Sequence, residues 1–401
     1  MKVTVLFDTF PSLSETFLYN TVHSWQRAGV ELNLLSRKRG TTIQDIPFLS
    51  EVKYLPSESL VLPVRVLILF WLVLRLLSSP QKISLAWRCI SKYGKGIREK
   101  FQQAYRIIPL ILNQTEIMYF PFGGMAVKYL EYIRETNAQV IFSLRGSDIN
   151  VEPLRSERYR DRMMEALVHA RAVHCVCHAI ESKARSLSAS ANLHVIHTAL
   201  GREFLHSKNT PNEDVGEVLE IVSVGRLDWK RGLEHGIVAA RELSLRGVNF
   251  RWQIIGDGNY RLPLQWAIRD MGMGDQIFLA GPLNQKDVAQ ALQNADVFFH
   301  PSITDGISNA VLEAMSLGLP VVACDVGGMR EAIPSDDHGL LVPARHWKRM
   351  ADGLEQLSKD RKLRERVGSA ARTFVREKFS AESQTAKFLS LFDRVVDQAV
   401  S

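Results

Sequence analysis

The stretch that decides the fold reads HPSITDGISNAVLEAM at residues 300–315 and continues as SLGLPVVACDVGG at residues 316–328. Its first apolar run ends at Pro301 and Ser302, and a polar loop follows. Either Ser308 or Asn309 can cap the helix after the loop, because both side chains accept hydrogen bonds from free backbone N–H groups. A second apolar run at residues 320–325 predicts another strand. The stretch therefore indicates a strand, loop, helix and strand of an α/β protein.

The loop of this unit carries residues suited to a nucleoside diphosphate. The helix start offers free amides and the positive end of the helix dipole, and Gly306 lets a phosphate approach the backbone. Glu313, on the first turns of the helix, can accept hydrogen bonds from two ribose hydroxyls, and Asp305 stands beside the same site. The alternative is an ordinary α/β loop with a solvated glutamate.

Similar apolar runs, separated by helical segments, extend through the chain. The fold class predicted is α/β, with two Rossmann-like, doubly wound parallel-sheet domains facing a cleft, because continuous apolar strands imply sheets covered on both faces. In the second half, strands are predicted at residues 221–227, 251–258, 276–281, 297–302, 320–325 and 339–343. In the first half, they are predicted at residues 2–8, 30–36, 117–122, 139–146 and 172–177.

Two domains also fit the length, because 401 residues exceed one ordinary hydrophobic core. Residues 1–206 are predicted to form the first domain and residues 218–380 the second, which binds the nucleotide. The segment SKNTPNEDVGE at residues 207–217 has the composition of a linker. A last apolar helix at residues 381–401 can pack on either domain, including back on the first.

A second motif, VGRLDWKRG at residues 224–232, places positive charge beside the same phosphate site. Arg226 closes a strand just after Gly225, and Lys230 and Arg231 follow within one loop or turn. Preorganised cations stabilise the negative charge that a departing nucleoside diphosphate gains, and here they would take the place of a metal. We therefore expect neither a cofactor nor a metal. The alternative is that the arginines form surface ion pairs.

Charge is distributed unevenly along the chain. The net charge is +7, and residues 1–200 hold 25 Lys and Arg against 16 Asp and Glu. Residues 82–106 carry seven Lys and Arg opposed locally only by Glu99, which forms a basic band. The band is only a weak argument for RNA or DNA, and nucleic acid is not expected as a partner. Four cysteines are too few for a disulfide framework, and no cleavable signal sequence is recognised, so a reducing, cytoplasmic setting is expected.

An apolar stretch, LVLPVRVLILFWLVLRLL, lies just before the basic band at residues 60–77. It is too interrupted by charge to span a membrane, because a spanning helix needs about 20 largely uncharged residues. One interpretation is a helix in the core of the first domain. The other is peripheral contact of residues 60–106 with an anionic membrane, with Trp71 and Trp87 at the interface.

The two nucleotide-site motifs resemble those of the retaining glycosyltransferases of family 4, which adopt the GT-B fold, and in particular the capsule, exopolysaccharide and colanic-acid type. The resemblance covers most of residues 218–345 and, more faintly, the first half. In this family two acids separated by seven residues lie near the donor, the first by the sugar and the second on the ribose. Asp305 and Glu313 have that spacing, although the family's first acid is usually Glu. The arginine and lysine that clamp the diphosphate correspond to Arg226 and, by spacing, Arg231, with Lys230 as a neighbouring substitute.

Further segments carry the resemblance outward. Gly256 and Gly258 match a strand end near the nucleotide, although this glycine pair lacks the third glycine of the dehydrogenase fingerprint. In SLRGSD at residues 143–148, Arg145 stands where the family often has a histidine, and it cannot act as a general base. An ion pair between Arg145 and Asp148 is the alternative.

An opening segment of the first half also has counterparts in the family. FPSLSETF, at residues 10–17, resembles segments that open capsule and exopolysaccharide members, so Ser14 and Glu15 are candidates for contact with a substrate. A simple helix start, capped by Ser14, explains the same residues equally well.

The resemblance implies a retaining hexosyltransferase. It would move a sugar from a UDP- or GDP-sugar to a glycan or glycolipid acceptor, either lipid-linked or polysaccharide, held on the first domain at the cytoplasmic face of the membrane. The alternatives are a nucleotide-sugar epimerase on the same scaffold and a non-catalytic protein that binds sugar nucleotides or glycans.

Overall fold

The computed structural model describes residues 1–12, 15–41, 46, 48–94, 96–201, 204 and 218–400. The chain divides into two compact units. The first comprises Met1–Val176, Glu181–Ile196 and Thr385–Ser401, and the second comprises Cys177–Ile180 and His197–Gln384. The predicted linker at residues 207–217 lies outside the described residues. The domain limits set from the sequence therefore stay predictions.

The first unit is built on a seven-stranded parallel sheet in the order β3-β2-β1-β4-β5-β6-β7. Its strands form where apolar and β-branched residues cluster, and the central ones are buried on both faces. The strands are β1 (Lys2–Phe10), β2 (Glu31–Arg39), β3 (Lys53–Tyr54), β4 (Ile117–Phe120), β5 (Gln139–Leu144), β6 (Ala172–Cys175) and β7 (Leu193–Val195).

Helices cover this sheet and connect its strands. They are α1 (Thr16–Arg27), α2 (Leu62–Leu76), α3 (Pro80–Ser91), α4 (Ile97–Leu112), α5 (Gly123–Lys128), α6 (Leu130–Glu135), α7 (Gly146–Asn150), α8 (Glu152–Arg155), α9 (Glu157–His169) and α10 (His178–Leu187).

The second unit contains a six-stranded parallel sheet in the order β10-β9-β8-β11-β12-β13. Its strands are β8 (Leu219–Val224), β9 (Phe250–Ile255), β10 (Ile277–Gly281), β11 (Val297–His300), β12 (Val321–Cys324) and β13 (Leu340–Val342). Its helices, with the C-terminal one, are α11 (Leu233–Leu245), α12 (Arg261–Asp270), α13 (Gln285–Gln293), α14 (Asn309–Ser316), α15 (Met329–Ala332), α16 (Trp347–Lys359), α17 (Arg361–Lys378) and α18 (Ala381–Val400).

The strand order of the second unit reverses between β8 and β11. From β8 the chain proceeds to β9 and β10 on one side, and β11 to β13 occupy the other side. At such a switch point the connecting segments diverge and leave a crevice outside the carboxyl ends of the two strands, where α/β proteins bind ligands. The loops after Val224 and after His300 therefore flank the expected ligand site.

The C-terminal helix α18 contributes to the core of the first unit. The ring of Phe388 lies 4.8 Å from that of Trp25 and 5.9 Å from that of Tyr119. Phe392 approaches Trp25 at 5.1 Å and belongs to the same buried cluster. The sequence left open which domain the last helix packs on, and from Thr385 onward α18 belongs to the first unit.

The predicted fold class is confirmed, since both sheets are parallel and each predicted strand is present within a few residues of its expected ends. The sequence missed β3 and β7, which have only two and three residues and lie at the two edges of the first sheet. Strands this short carry too few apolar residues to generate a detectable pattern.

The apolar stretch at residues 60–77 forms α2, and the interpretation as a core helix is wrong for most of its side chains. Only Leu72 and Leu76 of the helix are buried. Large apolar side chains that remain exposed on or beside it are Leu60, Val61, Leu62, Val64, Val66, Leu67, Phe70, Trp71, Val73, Leu74 and Leu77. Among the described residues, no helix combines the length and the apolar character needed to cross a membrane.

Candidate functional site

Two loops of the second unit meet at the switch point between β8 and β11. In the loop after β8, Asp228 caps a short 3-10 turn, and its side chain accepts a hydrogen bond from the Lys230 amide at 3.1 Å. The turn ends at Gly232, whose φ of 58° is left-handed, and a Cβ there would lie 2.2 Å from the carbonyl oxygen of Pro301. Only glycine therefore allows this loop to lie against the end of β11. The Ile303 amide completes the junction by donating to the Lys230 carbonyl at 2.9 Å.

The junction brings two side chains and one backbone amide together around the carboxylate of Asp305. Arg231 donates from Nη1 to Oδ2 of Asp305, forming an ion pair between the two loops. His300, the last residue of β11, places Nε2 3.2 Å from the same oxygen. The other oxygen of Asp305 accepts the Gly306 amide at 2.9 Å. Asp305 is thus held as an anion, and it orients Arg231.

Burial and charge act in opposite directions on this carboxyl group. Burial alone would raise the pKa of Asp305, but the Arg231 charge, the His300 hydrogen bond and the Gly306 amide together lower it below its usual range. For His300, burial lowers the pKa more than Asp305 raises it, so the imidazole is neutral at neutral pH. The network therefore carries one positive and one negative charge.

Glycines at the ends of β8 and β9 let the backbones of two loops touch. A Cβ at Gly256 would lie 1.9 Å from the Gly225 carbonyl oxygen, and one at Gly258 would lie 2.1 Å from the Leu227 carbonyl oxygen. A Cβ at Gly225 would lie 3.3 Å from Nε of Arg231, so the guanidinium group rests over this glycine. The structure thus gives these glycines a packing reason, while their predicted contact with a nucleotide stays a prediction.

Helix α14 starts beside the ion pair. Ser308 occupies its N-cap position, but its side chain makes no capping hydrogen bond, and Asn309 is the first helical residue. Gly306 and Ser308 are buried, whereas Asn309 is partly exposed. The Gly306 carbonyl accepts the Gly328 amide at 2.7 Å, which fixes the loop. Glu313 lies in the second turn and is partly exposed.

The predicted site residues are not all brought into contact. Arg231 and Asp305 are paired, whereas Arg226 is exposed just after β8, and Lys230 lies 3.5 Å from Asp228. Sequence reasoning missed His300 as a partner of Asp305. The available signal was a histidine at the end of an apolar strand, five residues before an acid.

In the first unit, Arg145 follows β5 at the start of α7. Its guanidinium carbon lies 4.0 Å from the centre of the Phe17 ring and 5.5 Å from that of Phe122, and its Nε donates to the Pro121 carbonyl at 3.4 Å. These contacts are cation-π interactions that fix the side chain. Burial lowers the pKa of Arg145, although nearby Tyr119, Asp148 and Glu15 oppose that shift.

The Asp148 side chain forms hydrogen bonds with backbone amides of this region. Its carboxylate accepts the Arg145 amide at 3.0 Å and the Gly124 amide at 3.2 Å. Burial raises the pKa of Asp148 despite these bonds. Glu15 occupies the N-cap position of α1, which begins at Thr16, one residue later than expected, and Ser14 lies outside the described residues.

No group of three His, Cys, Asp or Glu side chains within the described part of the chain is placed to hold a metal ion.

Comparisons with known proteins place this geometry in a class. Residues 206–374 match the family model of glycosyl transferases group 1. The provisionally named colanic acid biosynthesis glycosyltransferase WcaL of Salmonella typhimurium is 24% identical over 412 residues, covering 98% of this chain and 100% of the relative.

Solved structures agree on the fold. Sucrose-phosphate synthase of Thermosynechococcus elongatus superposes with a TM-score of 0.77 at 15% identity, covering 99% of this chain and 100% of that protein. HepE of Anabaena, solved in complex with UDP and glucose, gives a TM-score of 0.71 at 13% identity, covering 98% of this chain and 100% of that protein. The chain is therefore a glycosyltransferase with the GT-B fold, built from two parallel-sheet, Rossmann-like domains.

Proposed function

We propose that this glycosyltransferase is a retaining hexosyltransferase of family 4, which transfers a sugar from a UDP- or GDP-sugar to a glycan or glycolipid acceptor of exopolysaccharide synthesis. The observation that carries the donor site is the ion pair of Arg231 with Asp305 at the switch point of the second sheet. The UDP-bound HepE structure and the name of the Salmonella relative support the kind of donor and the kind of product.

In the proposed reaction the acceptor hydroxyl oxygen forms a bond to the anomeric carbon, and the bond from that carbon to the diphosphate oxygen breaks. The diphosphate leaves with the electron pair, and its phosphate oxygen takes the acceptor's proton. Arg226, Lys230 and Arg231 stabilise the charge that develops on the leaving group. No protein base and no metal are required by this scheme.

The remaining donor contacts are assigned by position. Glu313 accepts hydrogen bonds from the ribose hydroxyls, and the start of α14, with Gly306, Ser308 and Asn309, lies by the diphosphate. Asp305 acts as a positioning residue through Arg231, because both of its oxygens already accept hydrogen bonds. Its predicted contact with the sugar would need one of these bonds to be shared.

The acceptor is proposed to reach the first unit from the cytoplasmic face of a membrane. Most exposed side chains of α2 are apolar, and Trp71 is 62% exposed. Trp87 of α3 is 71% exposed and adds a second interfacial side chain. Peripheral proteins bury such faces among lipid headgroups, with tryptophan at the interface.

Basic residues beside α2 favour an anionic lipid surface as its occupant. Arg75, Arg98 and Lys100 are exposed. The basic band is less isolated than the sequence suggested, because Glu135 of α6 pairs with Arg88 at 3.3 Å and with Lys92 at 2.8 Å. Glu135 therefore partly neutralises Arg88 and Lys92, and the positive charge available to phospholipid comes mainly from the other basic residues.

The proposed transfer is tested by incubating the full chain with a panel of UDP-, GDP- and ADP-sugars and a lipid-linked oligosaccharide acceptor. Released nucleotide identifies the donor, and the anomeric proton coupling of the product by NMR reports retention or inversion. Activity unchanged by EDTA is expected. An epimerase would convert the donor without releasing nucleotide, and a binding protein would do neither. An inverted product would refute the retaining assignment while leaving transfer intact.

A further inference from the structure

A pocket in the first unit lies beside α2, and its lining includes none of the residues assigned above to the donor. It has a volume of about 440 Å³, within the size range of small-ligand sites. It lies against the carboxyl-terminal part of β2, the segment after β3 and the helix α4. Its lining residues are Arg37, Lys38, Leu55, Pro56, Ser57, Glu58, Ser59, Tyr105, Arg106, Pro109 and Tyr129.

Cations from three separate elements converge on one carboxylate at this pocket. Glu58 Oε1 lies 3.1 Å from Arg37 Nη2, 3.6 Å from Arg106 Nε and 3.4 Å from Lys128 Nζ. Asp8 at the end of β1 pairs with Arg37 as well. These elements are distant in sequence, so the fold, and not a local run of basic residues, assembles the cluster.

The carboxylates do not balance these cations. Arg37, Lys38, Arg106 and Lys128 carry four positive charges, whereas Asp8 and Glu58 carry two negative charges, which leaves an excess of two.

The Nε–H of Arg106 is the donor that this pocket leaves unused. It is buried and has no hydrogen-bond partner among the described residues, since Glu58 at 3.6 Å is too distant for a hydrogen bond. A buried donor without an acceptor is costly unless a ligand supplies one. The arrangement therefore has both the charge and the free donor that an anion needs.

The pKa values of the cluster agree with this charge excess. Burial and the neighbouring Arg37 lower the pKa of Lys128, and the attraction of Glu58 does not compensate for them. For Glu58, burial raises the pKa, but Lys128, Arg37 and Arg106 outweigh it and the net shift is downward. A further anion in the pocket would relieve the repulsion among the cations.

The pocket is also connected to the exposed apolar helix. Tyr105, on α4, forms part of the pocket wall and donates from its hydroxyl to the Ser57 carbonyl at 3.1 Å. On the same ring, the guanidinium carbon of Arg65 from α2 lies 4.7 Å from the centroid. A ligand with an anionic group in the pocket and a hydrocarbon chain would find the apolar surface of α2 next to it.

We propose that this pocket binds a diphosphate group, with Arg37, Lys38 and Arg106 as its ligands and with Lys128 adding positive charge through its contact with Glu58. Resting on the proposed function, the natural source is the diphosphate of a lipid-linked acceptor whose chain lies along α2. A soluble diphosphate is the other source with the same chemistry. Arginine guanidinium groups suit phosphate because they present several N–H donors in a fixed plane.

The first experiment is titration of the full chain with inorganic pyrophosphate by calorimetry, at fixed salt. Arg106→Gln is expected to weaken binding at the pocket at least tenfold, or about 1.4 kcal/mol. Arg155→Gln removes the same charge from an exposed position on α8 of the same unit and should leave binding unchanged. Arg231→Gln distinguishes binding at the donor site from binding at the pocket, because it should weaken only the former. Equal affinity in Arg106→Gln and the unaltered chain would overturn the proposal.

A second variant, expected to change the affinity in the opposite direction, keeps the test valid if Arg106→Gln fails to fold. Glu58→Gln removes a negative charge from the pocket and should tighten pyrophosphate binding, whereas weaker binding would contradict the electrostatic argument.

The source of the diphosphate is settled with vesicles of phosphatidylcholine that contain or lack a polyprenyl diphosphate. If the unaltered chain binds the vesicles with polyprenyl diphosphate more strongly than the plain vesicles, and Arg106→Gln loses this difference, the lipid is the source. Pyrophosphate binding with no extra vesicle binding assigns a soluble diphosphate. The sugar-transfer assay is measured separately. A failure of the proposed donor site would therefore not be mistaken for a failure of diphosphate binding at the pocket.

Discussion

Replacing Asp305 by Asn tests the network at the switch point. Asn keeps the size of the side chain but removes its charge, and its amide nitrogen cannot accept a hydrogen bond from Arg231 or Gly306. Breaking a fully buried ion pair costs roughly 3–5 kcal/mol. The side chains of Asp305 and Arg231 are 17% and 30% exposed, so water screens part of the interaction. We therefore expect a loss of about 2 kcal/mol in the free energy of unfolding.

The assay is calorimetric melting of the full chain at neutral pH. A loss of 1 kcal/mol lowers Tm by about 2–4 °C in a domain of this size, so Asp305→Asn should lower the Tm of the second unit by about 4–8 °C. Asp325→Asn is the matched control, because Asp325 pairs with Arg330, whose side chain is 74% exposed. Such a surface pair contributes less than about 1 kcal/mol.

The pH dependence of stability is a second test of the Asp305 ion pair. The folded pKa of Asp305 is lowered because the Arg231 charge and the His300 hydrogen bond outweigh burial. A carboxyl group with a lowered folded pKa contributes stability that is complete above its unfolded pKa, about 3.9, and is lost as the pH falls towards the folded value. The difference in stability between the unaltered chain and Asp305→Asn should therefore shrink in acid below about pH 4.

Turnover completes the test. Because Asp305 positions Arg231, its loss should lower kcat at least tenfold, which corresponds to about 1.4 kcal/mol of barrier. A Tm like that of the Asp325→Asn control, together with unchanged turnover, would refute the reasoning. A stability difference that grows in acid would refute it as well.

Three further predictions concern other parts of the molecule. Glu313→Ala should lower kcat/KM for the nucleotide-sugar at least tenfold, about 1.4 kcal/mol, and a full rate in the nucleotide-release assay would remove its ribose role. Gly232→Ala should cost more stability than Gly247→Ala, since both glycines have positive φ but only Gly232 would place a Cβ within 4 Å of other atoms; equal shifts in denaturant midpoint would contradict the packing argument. Trp71→Glu should reduce sedimentation with anionic liposomes, whereas Leu262→Glu, at an exposed apolar position of the second unit, should not, and equal pelleting of both would count against α2 as the contact surface.

The fold was largely predictable because its signal is local. Strands such as β11 and β12 are fully buried and apolar along their length, so each stands out in the sequence without knowledge of its neighbours. The glycine at residue 232 and the turn before it are equally local. The position of α18 was not predictable, since an apolar helix with no following strand matches any exposed apolar surface.

The site was predictable only in part. The spacing of Asp305 and Glu313, and the cluster of cations at residues 226–231, pointed to the region that the structure places at the switch point. The pairing of Arg231 with Asp305 was not predictable, because it joins loops more than seventy residues apart. The pocket around Glu58 escaped the sequence for the same reason, as its cations come from β2, α4 and the end of α5.

The ion pair also defines what Arg231 contributes to the proposed donor site. Paired with Asp305, it adds no net charge, and Lys230 is likewise paired with Asp228, so the positive potential for a diphosphate comes mainly from the start of α14 and from Arg226. Arg231 instead contributes geometry, since its guanidinium group rests over Gly225 and is fixed by the carboxylate while keeping further N–H donors available. Donors already fixed in place need little reorganisation as charge develops on the leaving group, and electrostatic stabilisation is strongest under that condition. A lysine at this position would keep the charge and lose the planar, doubly supported donor set, so orientation, more than charge, is what the Asp305 contact preserves.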